Sequence, residues 1–239
     1  MASARGISAI ALSTLMSTPV AADCRLALVL ALDVSSSVDA QEYTLQRDGL
    51  AAALIAPEVR RAFFASDLPV ALSAYEWSGR HNQELILDWH LIDSPAALLD
   101  AAETIARTQR SQTEYPTAMG FALGYGAGVM RRAPPCLFRT IDISGDGKNN
   151  EGFPPANAYA EFPFAGVTVN GLVVNAAEFE AEVSLIEFYR DHVLHGAGAF
   201  LEVAQGFEDF ERAMRRKLER ELTVRVIGAP IPPDLNAPG

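Results

Sequence analysis

The sequence predicts an α/β fold with a doubly wound, mostly parallel central sheet and helices on both faces. Apolar runs of strand length alternate along the chain with segments of helical pattern, the order that a parallel sheet wrapped by helices produces. The first run, from Leu26 to Leu32, is unbroken and therefore predicts a buried strand. With 239 residues and a hydrophobic fraction of 49%, the chain can build one full core. We expect a single domain.

The predicted helices and strands follow one another in a regular order. The first helix stops before Pro57, because proline cannot continue a helix, and Ser94-Pro95 is a typical helix start. The second and third strands form a pair across the turn at 79–82. In chain order, the predicted strands are 26–32, 68–77, 84–91, 137–143, 167–174 and 199–203, and the predicted helices are 39–54, 95–108, 116–131, 179–194 and 207–222.

The third predicted helix is rich in glycine. Gly120, Gly124 and Gly128 recur every four residues and so share one face, although each costs about 1 kcal/mol relative to alanine. Small residues let two backbones pack tightly, so we expect this face to approach the sheet closely.

The first residues have the pattern of a secretory signal. Arg5 provides the positive start, residues 7–16 the apolar centre, and Val20-Ala21-Ala22 the small-residue cleavage site. The apolar centre is far shorter than the about 20 residues that a membrane span needs, so we predict no membrane span and a periplasmic or secreted protein. The predicted divisions are a signal peptide at 1–22, the domain at 23–226 and an irregular tail at 227–239.

The charge of the chain argues against two classes of partner. Thirty Asp and Glu residues against 19 Lys and Arg residues give a formal net charge of −11. A negative protein is repelled by phosphate backbones and by anionic lipid surfaces. We therefore predict no nucleic-acid partner.

Oxygen-bearing side chains follow the first predicted strand at alternate positions. Asp33, Ser35 and Ser37 stand where a buried strand meets water, and their oxygens can converge on one point. Carboxylate and hydroxyl oxygens suit a hard divalent cation. The pattern predicts a site for Mg²⁺ or Mn²⁺ rather than zinc.

This Asp-x-Ser-x-Ser pattern resembles the metal-ion-dependent adhesion site of the von Willebrand factor type A superfamily. The superfamily adds a Thr at the start of a later helix, which Thr117 matches, although Pro116 replaces the usual Gly-Gly and leaves Thr113 open as the alternative. It also adds an Asp-Gly that closes a later strand, which Asp146 matches, with Gly145 in place of the more usual Thr. By itself, either Thr could be a helix cap and the Asp-Gly an ordinary turn. The implied metal ligands are Asp33, Ser35, Ser37, Thr117 and Asp146.

The resemblance covers nearly all of 24–223, and the overall pattern looks like that of a bacterial exported subgroup of the superfamily whose role is unassigned. In that fold the first and fourth strands are parallel neighbours, and the two cysteines lie nine and ten residues before the two site aspartates. The resemblance and an oxidising compartment together imply a disulfide between Cys24 and Cys136 at the far edge of the sheet. Such a bridge would contribute about 4–5 kcal/mol on a chain-entropy account.

Other polar residues are expected near the same edge. Lys148, Asn149 and Asn150 follow the last site aspartate and are candidate partner contacts, the alternative being a solvated loop. Glu76 and Ser78 end the second strand, where we expect an ordinary exposed role.

Three functions are compatible with this sequence. The first is an exported, metal-dependent binding module whose cation captures an exposed Asp or Glu of an unidentified partner protein, as the resemblance implies. The second is a Mg²⁺-dependent hydrolase of a phosphate ester, but no motif places an acid, a base or a phosphate clamp near the site. The third is an assembly subunit in which the metal only stabilises the fold. We favour the first and expect no enzymatic activity.

Overall fold

The computed structural model describes residues 22–175 and 179–224. Their strands and helices alternate as the sequence predicts. The strands are β1 (Cys24–Asp33), β2 (Val70–Trp77), β3 (Gln83–Ile92), β4 (Cys136–Gly145), β5 (Val167–Val174) and β6 (Leu201–Ala204). The α-helices are α1 (Ala40–Ile55), α2 (Pro57–Phe63), α3 (Pro95–Ala106), α4 (Met119–Met130), α5 (Pro155–Glu161), α6 (Phe179–Phe188) and α7 (Phe210–Val224).

The six described strands form one sheet in the order β3-β2-β1-β4-β5-β6. β3 runs antiparallel to β2, and all other neighbours are parallel. The order of the strands reverses between β1 and β4, so the sheet is doubly wound and the predicted fold class is confirmed. In such sheets, ligands bind outside the carboxyl ends of the strands at the point of reversal.

Each face of the sheet has its own hydrophobic core. On one face, alternate β1 residues such as Leu28 and Leu30 pack with α1, α2, α3 and α7. On the other face, the intervening β1 residues such as Val29 pack with α4, α5 and the end of α6. All ten residues of β1 are buried, as its unbroken apolar run predicts.

The sequence patterns did not predict two short helices. α2 and α5 have seven residues each and begin directly at Pro57 and Pro155. Proline is well suited to the first position of a helix, so Pro57 both ends α1 and begins α2. Segments this short carry too few residues for hydrophobic periodicity to be recognised.

Two of the differences between predicted and observed helix bounds concern residues near the site. α4 begins at Met119 rather than at 116, so Thr117 precedes it. The segment predicted as one helix at 179–194 is an α-helix as far as Phe188 and then a π-helix over Tyr189–Val193. π-helices cannot be foreseen from periodicity, and they are frequent at functional sites.

The predicted role of the glycine face of α4 is wrong. A Cβ on Gly120 would lie 2.0 Å from the carbonyl oxygen of Phe153, and one on Gly124 would lie 2.8 Å from the ring of Phe162. The lack of side chains at these glycines therefore lets the segment around α5, and not the sheet, pack closely against α4. Gly126 lies on another face of α4 and is the glycine that faces the sheet. A Cβ placed on it would lie 2.8 Å from the hydroxyl oxygen of Tyr75.

The predicted disulfide is present. Cys24 and Cys136 are register partners at the first residues of β1 and β4, with their Cα atoms 4.5 Å apart, and their sulfurs are bonded. The bridge lies at the opposite end of these strands from their carboxyl edge. The prediction depended on the two strands being parallel neighbours, which they are.

A buried arginine joins three distant parts of the chain. Arg25 is 1% exposed. Its guanidinium donates hydrogen bonds to the carbonyls of Ala62 (2.7 Å) and Phe63 (3.0 Å) at the end of α2, and to that of Leu222 (2.9 Å) near the end of α7. All three carbonyls lie in the last turn of a helix, where the donor four residues further on that a helix interior provides is missing.

A second buried polar group lies between the sheet and α7. Lys217 is fully buried and pairs with Asp142 of β4 and with Glu221, the latter at 2.9 Å. Asn170 of β5 donates a hydrogen bond to Glu221 (2.5 Å) and accepts one from the backbone N–H of Phe200 (3.0 Å). Burial first, and then the charge of Glu221, raise the pKa of Asp142 well above its ordinary value.

The described helices include none that is long and apolar enough to cross a membrane. The predicted signal peptide, apart from Ala22, and the predicted tail at 227–239 lie outside the described residues. Both remain predictions.

Candidate metal centre

The predicted ligands lie at the carboxyl edge of the two central strands. β1 ends at Asp33, and β4 ends at Gly145, one residue before Asp146. β1 and β4 are the pair between which the strand order reverses. The loop before α4 reaches the same edge with Thr117.

Three hydroxyls and one carboxylate form a chain of hydrogen bonds there. Thr117 donates from Oγ1 to Oγ of Ser35 (3.3 Å), and the hydroxyls of Ser35 and Ser37 lie 3.1 Å apart. Ser37 donates to Oδ1 of Asp146 (2.7 Å). Segments that are 109 residues apart in the sequence thus meet at one point.

The carboxylate of Asp33 is buried beside this chain. Its Oδ1 accepts a hydrogen bond from the backbone N–H of Ser35 (2.8 Å), and its backbone carbonyl accepts one from Nε2 of Gln46 (2.9 Å). Oδ2 has no hydrogen-bond partner among the described residues, although Asp33 is 0% exposed. A buried carboxylate oxygen without a partner is costly.

The alternative threonine stands apart from these groups. Thr113 is exposed, whereas Thr117 is 3% exposed and bonded to Ser35. Nor is Thr117 a helix cap, because α4 has Ala118 as its N-cap and no side chain caps it. Of the two hydroxyls that the sequence left open, the one in the cluster is that of Thr117.

Among the described residues, little positive charge compensates the two carboxylates. Burial, and then the negative charge of Asp146, raise the pKa of Asp33 to about 8. Burial likewise raises the pKa of Asp146. Arg110 lowers both pKa values, but it is the smallest influence on each. The edge therefore holds two acidic groups in surroundings that favour a bound cation.

The candidate rim residues make hydrogen bonds within the chain. Asn150 Oδ1 accepts from the backbone N–H of Thr117 (2.9 Å), and Asn149 Oδ1 accepts from that of Gly120 (3.3 Å). Lys148 donates to Ser184. The two asparagines thus hold the start of α4 against the loop after β4. Lys148 and Asn150 are nevertheless exposed, and their contact with a partner remains a prediction.

The expectation that Glu76 and Ser78 are exposed is wrong, because both are 0% exposed. Glu76 accepts hydrogen bonds from the hydroxyl of Tyr43 (2.7 Å) and from the backbone N–H of Ser111 (2.8 Å). It thereby ties the loop after α3 to α1. The signal in the sequence was the position of Glu76 inside an apolar strand, which points to a paired, buried carboxylate.

The loop between α3 and α4 also provides a positively charged side chain near the site, that of Arg110. One guanidinium nitrogen of Arg110 donates to the carbonyls of Val34 (3.1 Å) and Ser35 (2.9 Å). No motif indicates Arg110, which lies more than 70 residues along the chain from these acceptors. It fixes the backbone that carries the first three predicted ligands.

Tyr189, which no sequence pattern indicates, has its hydroxyl close to Gly145 and Asp33 at the same edge of the sheet. It is 0% exposed, and its hydroxyl has no hydrogen-bond partner among the described residues. Burial first, and then the charges of Asp33 and Asp146, raise its pKa well above the ordinary value. The hydroxyl therefore keeps its proton at neutral pH.

The donor set at this edge consists of oxygen atoms. The described residues contain no group of three or more His, Cys, Asp or Glu side chains that could bind a metal. The oxygens at this edge are instead those of two carboxylates and three hydroxyls. Such a set matches Mg²⁺ or Mn²⁺ chemistry, in which water completes the coordination.

This sheet order and this edge define a von Willebrand factor type A fold, and solved structures agree. The chain is similar to von Willebrand factor type A from Catenulispora acidiphila, with a TM-score of 0.57 and 12% identity over 84% of this chain and 43% of that one. It is also similar to proximal thread matrix protein 1 from the mussel byssus, described with a zinc-occupied MIDAS motif, with a TM-score of 0.58 and 12% identity over 84% of this chain and 46% of that one. A third similar structure is the pilus adhesin SpaC from Lactobacillus rhamnosus GG, with a TM-score of 0.59 and 11% identity over 83% of this chain and 31% of that one.

The chain spans less than half the length of these three proteins. A family model described as a protein of unknown function, DUF1194, matches residues 23–226, and the chain belongs to that family. No curated protein matches the sequence.

Proposed function

We propose that this protein is an exported binding module in which a divalent cation, Mg²⁺ or Mn²⁺, captures an acidic side chain of a partner protein. The cation would be held by Asp33, Ser35, Ser37, Thr117 and Asp146. The observation that carries the proposal is that three hydroxyls and a carboxylate from three separate loops are hydrogen-bonded to one another beside Asp33, whose buried Oδ2 has no hydrogen-bond partner among the described residues.

The charge balance of the site supports an acidic partner. A divalent cation would compensate the two carboxylates, while the three hydroxyls add oxygen ligands without adding charge. The cation can therefore accept one more anionic ligand, and an Asp or Glu of another protein meets that need. Ser37 is exposed and Asp146 is half-buried, so this side of the site is open to such a ligand.

The hydrogen bonds of the site favour binding over hydrolysis. Among the described residues, the hydroxyls of Ser35, Ser37 and Thr117 bond to one another and to Asp146, and none bonds to an imidazole that could activate it. Arg110, the nearby cation, uses its guanidinium to hold two backbone carbonyls. These contacts fit a site built to hold a cation in place.

Similar structures and the disulfide give further support. Two of the similar structures are described as a byssus matrix protein and a pilus adhesin, names that fit binding and assembly outside the cell. The zinc in the byssus protein makes zinc a third ion to test. The Cys24–Cys136 disulfide and the signal-like residues at 1–22 fit a periplasmic or secreted location.

Adjacent serines provide a sharp test of the site. Ser35 is buried in the hydroxyl chain, whereas Ser36 is exposed and no hydrogen bond of its side chain is seen. We expect Mg²⁺ or Mn²⁺ at about 100 times its Kd to add about 2.7 kcal/mol of stability to the wild type. The melting shift should be lost in Asp33→Ala, strongly reduced in Ser35→Ala and kept in Ser36→Ala. A wild type that responds to none of the three ions would refute the site.

The partner is tested separately from the metal. Purified protein on a solid support should retain a partner from a mixture of exported proteins in the presence of Mn²⁺ and release it in chelator. Free glutamate or acetate at high concentration should compete with the partner for the cation. Ser36→Ala should behave as the wild type and Ser35→Ala should not. If the metal binds but retention is the same with and without chelator, the metal only stabilises the fold and the proposed capture is wrong.

A further inference from the structure

Tyr189 shares a small buried space with Asp33. A Cβ placed on Gly145 would lie 2.7 Å from the hydroxyl oxygen of Tyr189 and 2.7 Å from Oδ2 of Asp33. Both oxygens are buried, and neither has a hydrogen-bond partner among the described residues. Glycine at 145 thus allows both polar atoms to lie close to the same point of β4, where the Cβ of any other residue would be too near to each of them.

A second glycine makes room for the tyrosine ring. A Cβ on Gly171 would lie 2.9 Å from Cδ1 of Tyr189, closer than real side chains tolerate. Gly171 belongs to β5 and Gly145 to the neighbouring β4. β5 therefore lacks a side chain where it contacts the ring of Tyr189, and β4 lacks one where it contacts the hydroxyl.

The backbone around Tyr189 is also unusual. Tyr189 is the first residue of the π-helix, and its carbonyl accepts the hydrogen bond of Leu194 N–H (3.0 Å), five residues later. π-helical turns are rare and are frequently found at functional sites. Two glycines and a π-helix together place one hydroxyl beside one carboxylate.

We infer that Tyr189 is a positioning residue of the cation site, whose hydroxyl donates a hydrogen bond to Oδ2 of Asp33 when the cation is bound. This inference rests on the proposed function. Oδ1 of Asp33 is already held by the N–H of Ser35. A second donor on Oδ2 fixes the plane of the carboxylate, and each oxygen keeps a further lone pair for the cation or its water.

The test is Tyr189→Phe, which keeps the ring and removes only the hydroxyl. Outer partners of metal ligands typically contribute 10–100-fold to metal affinity, so we expect the Kd for Mn²⁺, measured by calorimetry, to rise about tenfold. The metal-free variant should melt at or above the wild-type temperature, because it loses a buried hydroxyl that has no partner. A purely structural tyrosine would give the reverse pattern.

Tyr75→Phe is the matched control. Tyr75 is 0% exposed in the same hydrophobic core, but its hydroxyl donates to the carbonyl of Ala122 (2.8 Å). This control should lower the melting temperature of the metal-free protein and leave the Kd for Mn²⁺ unchanged. A Tyr189→Phe variant with the wild-type Kd would overturn the inference while leaving the proposed site intact. A wild type that binds no cation would overturn both.

Discussion

Two glycines of α4 should respond in opposite ways to the same substitution. In Gly128→Ala, the new methyl meets nothing within 4 Å and the residue is exposed, so the helix gains about 1 kcal/mol of stability from the better propensity of alanine. In Gly120→Ala, the methyl would lie 2.0 Å from the carbonyl oxygen of Phe153 and 2.6 Å from its ring. Contacts below 3.0 Å essentially never occur, so something must move.

The part that must move is backbone, which makes the cost of Gly120→Ala high. Overpacking of this kind typically costs about 1–3 kcal/mol, and here it has to outweigh the gain in helix propensity. We expect Gly120→Ala to lose about 2 kcal/mol or more in urea denaturation with chelator present. The segment displaced also includes Asn149, which accepts from Gly120 N–H, so cation affinity should fall as well.

The pair of variants controls for helix propensity, since both substitutions lie in the same helix. At about 2–4 °C per kcal/mol for a chain of this size, the two melting temperatures should separate by roughly 6 °C or more. If Gly120→Ala is as stable as the wild type, or if both variants shift in the same direction by the same amount, the packing of α4 described above is wrong.

Three further predictions concern stability. Replacing Cys24 by Ser should cost about 4–5 kcal/mol, because the bridge closes a loop of 112 residues, and reduction of the wild type should reproduce this loss in denaturation. Replacing Lys217 by Met should destabilise the protein by about 3–5 kcal/mol, because two buried carboxylates lose their cation; adding Asp142→Asn should recover part of the loss in the same melts. The folded-state pKa of Asp33 is about 8 against an ordinary 3.8, so the metal-free protein should lose stability as pH rises from about 4 to about 8. Asp33→Asn should flatten that decline when melting is followed in chelator, and an unchanged slope would show that Asp33 is not the group responsible.

Features that depend on long stretches of sequence could be predicted. The succession of strands and helices follows from alternating apolar runs, and the register of Cys24 with Cys136 follows once the family resemblance makes β1 and β4 parallel neighbours. Asp33, Ser35 and Ser37 can be recognised as a cluster because they follow a buried strand at alternate positions, whereas Thr117 and Asp146 are named only by the resemblance to the superfamily's adhesion site. Features of this kind extend over many residues or belong to a known motif, so one sequence is sufficient to predict them.

Features that depend on a single contact could not be predicted. The glycines of α4 share a face as expected, but the partner of that face is a loop around Phe153 that has no periodic signal. Arg110 and Tyr189 reach the site from distant segments, and nothing in their local sequence distinguishes them from surface or core residues. Glu76 was misjudged because a charged residue is usually exposed, whereas here two donors satisfy it inside the fold.

The hydrogen bonds of Arg25 set a lower limit on how much chain the domain needs. Its guanidinium sits where water cannot replace a missing acceptor, and one of its three acceptors, the carbonyl of Leu222, is provided by α7. A version of this protein cut before that residue would leave a permanent positive charge short of a partner next to the first strand. The last turn of α7 is therefore as much a part of the minimal folding unit as the sheet itself, although it lies far from the metal edge.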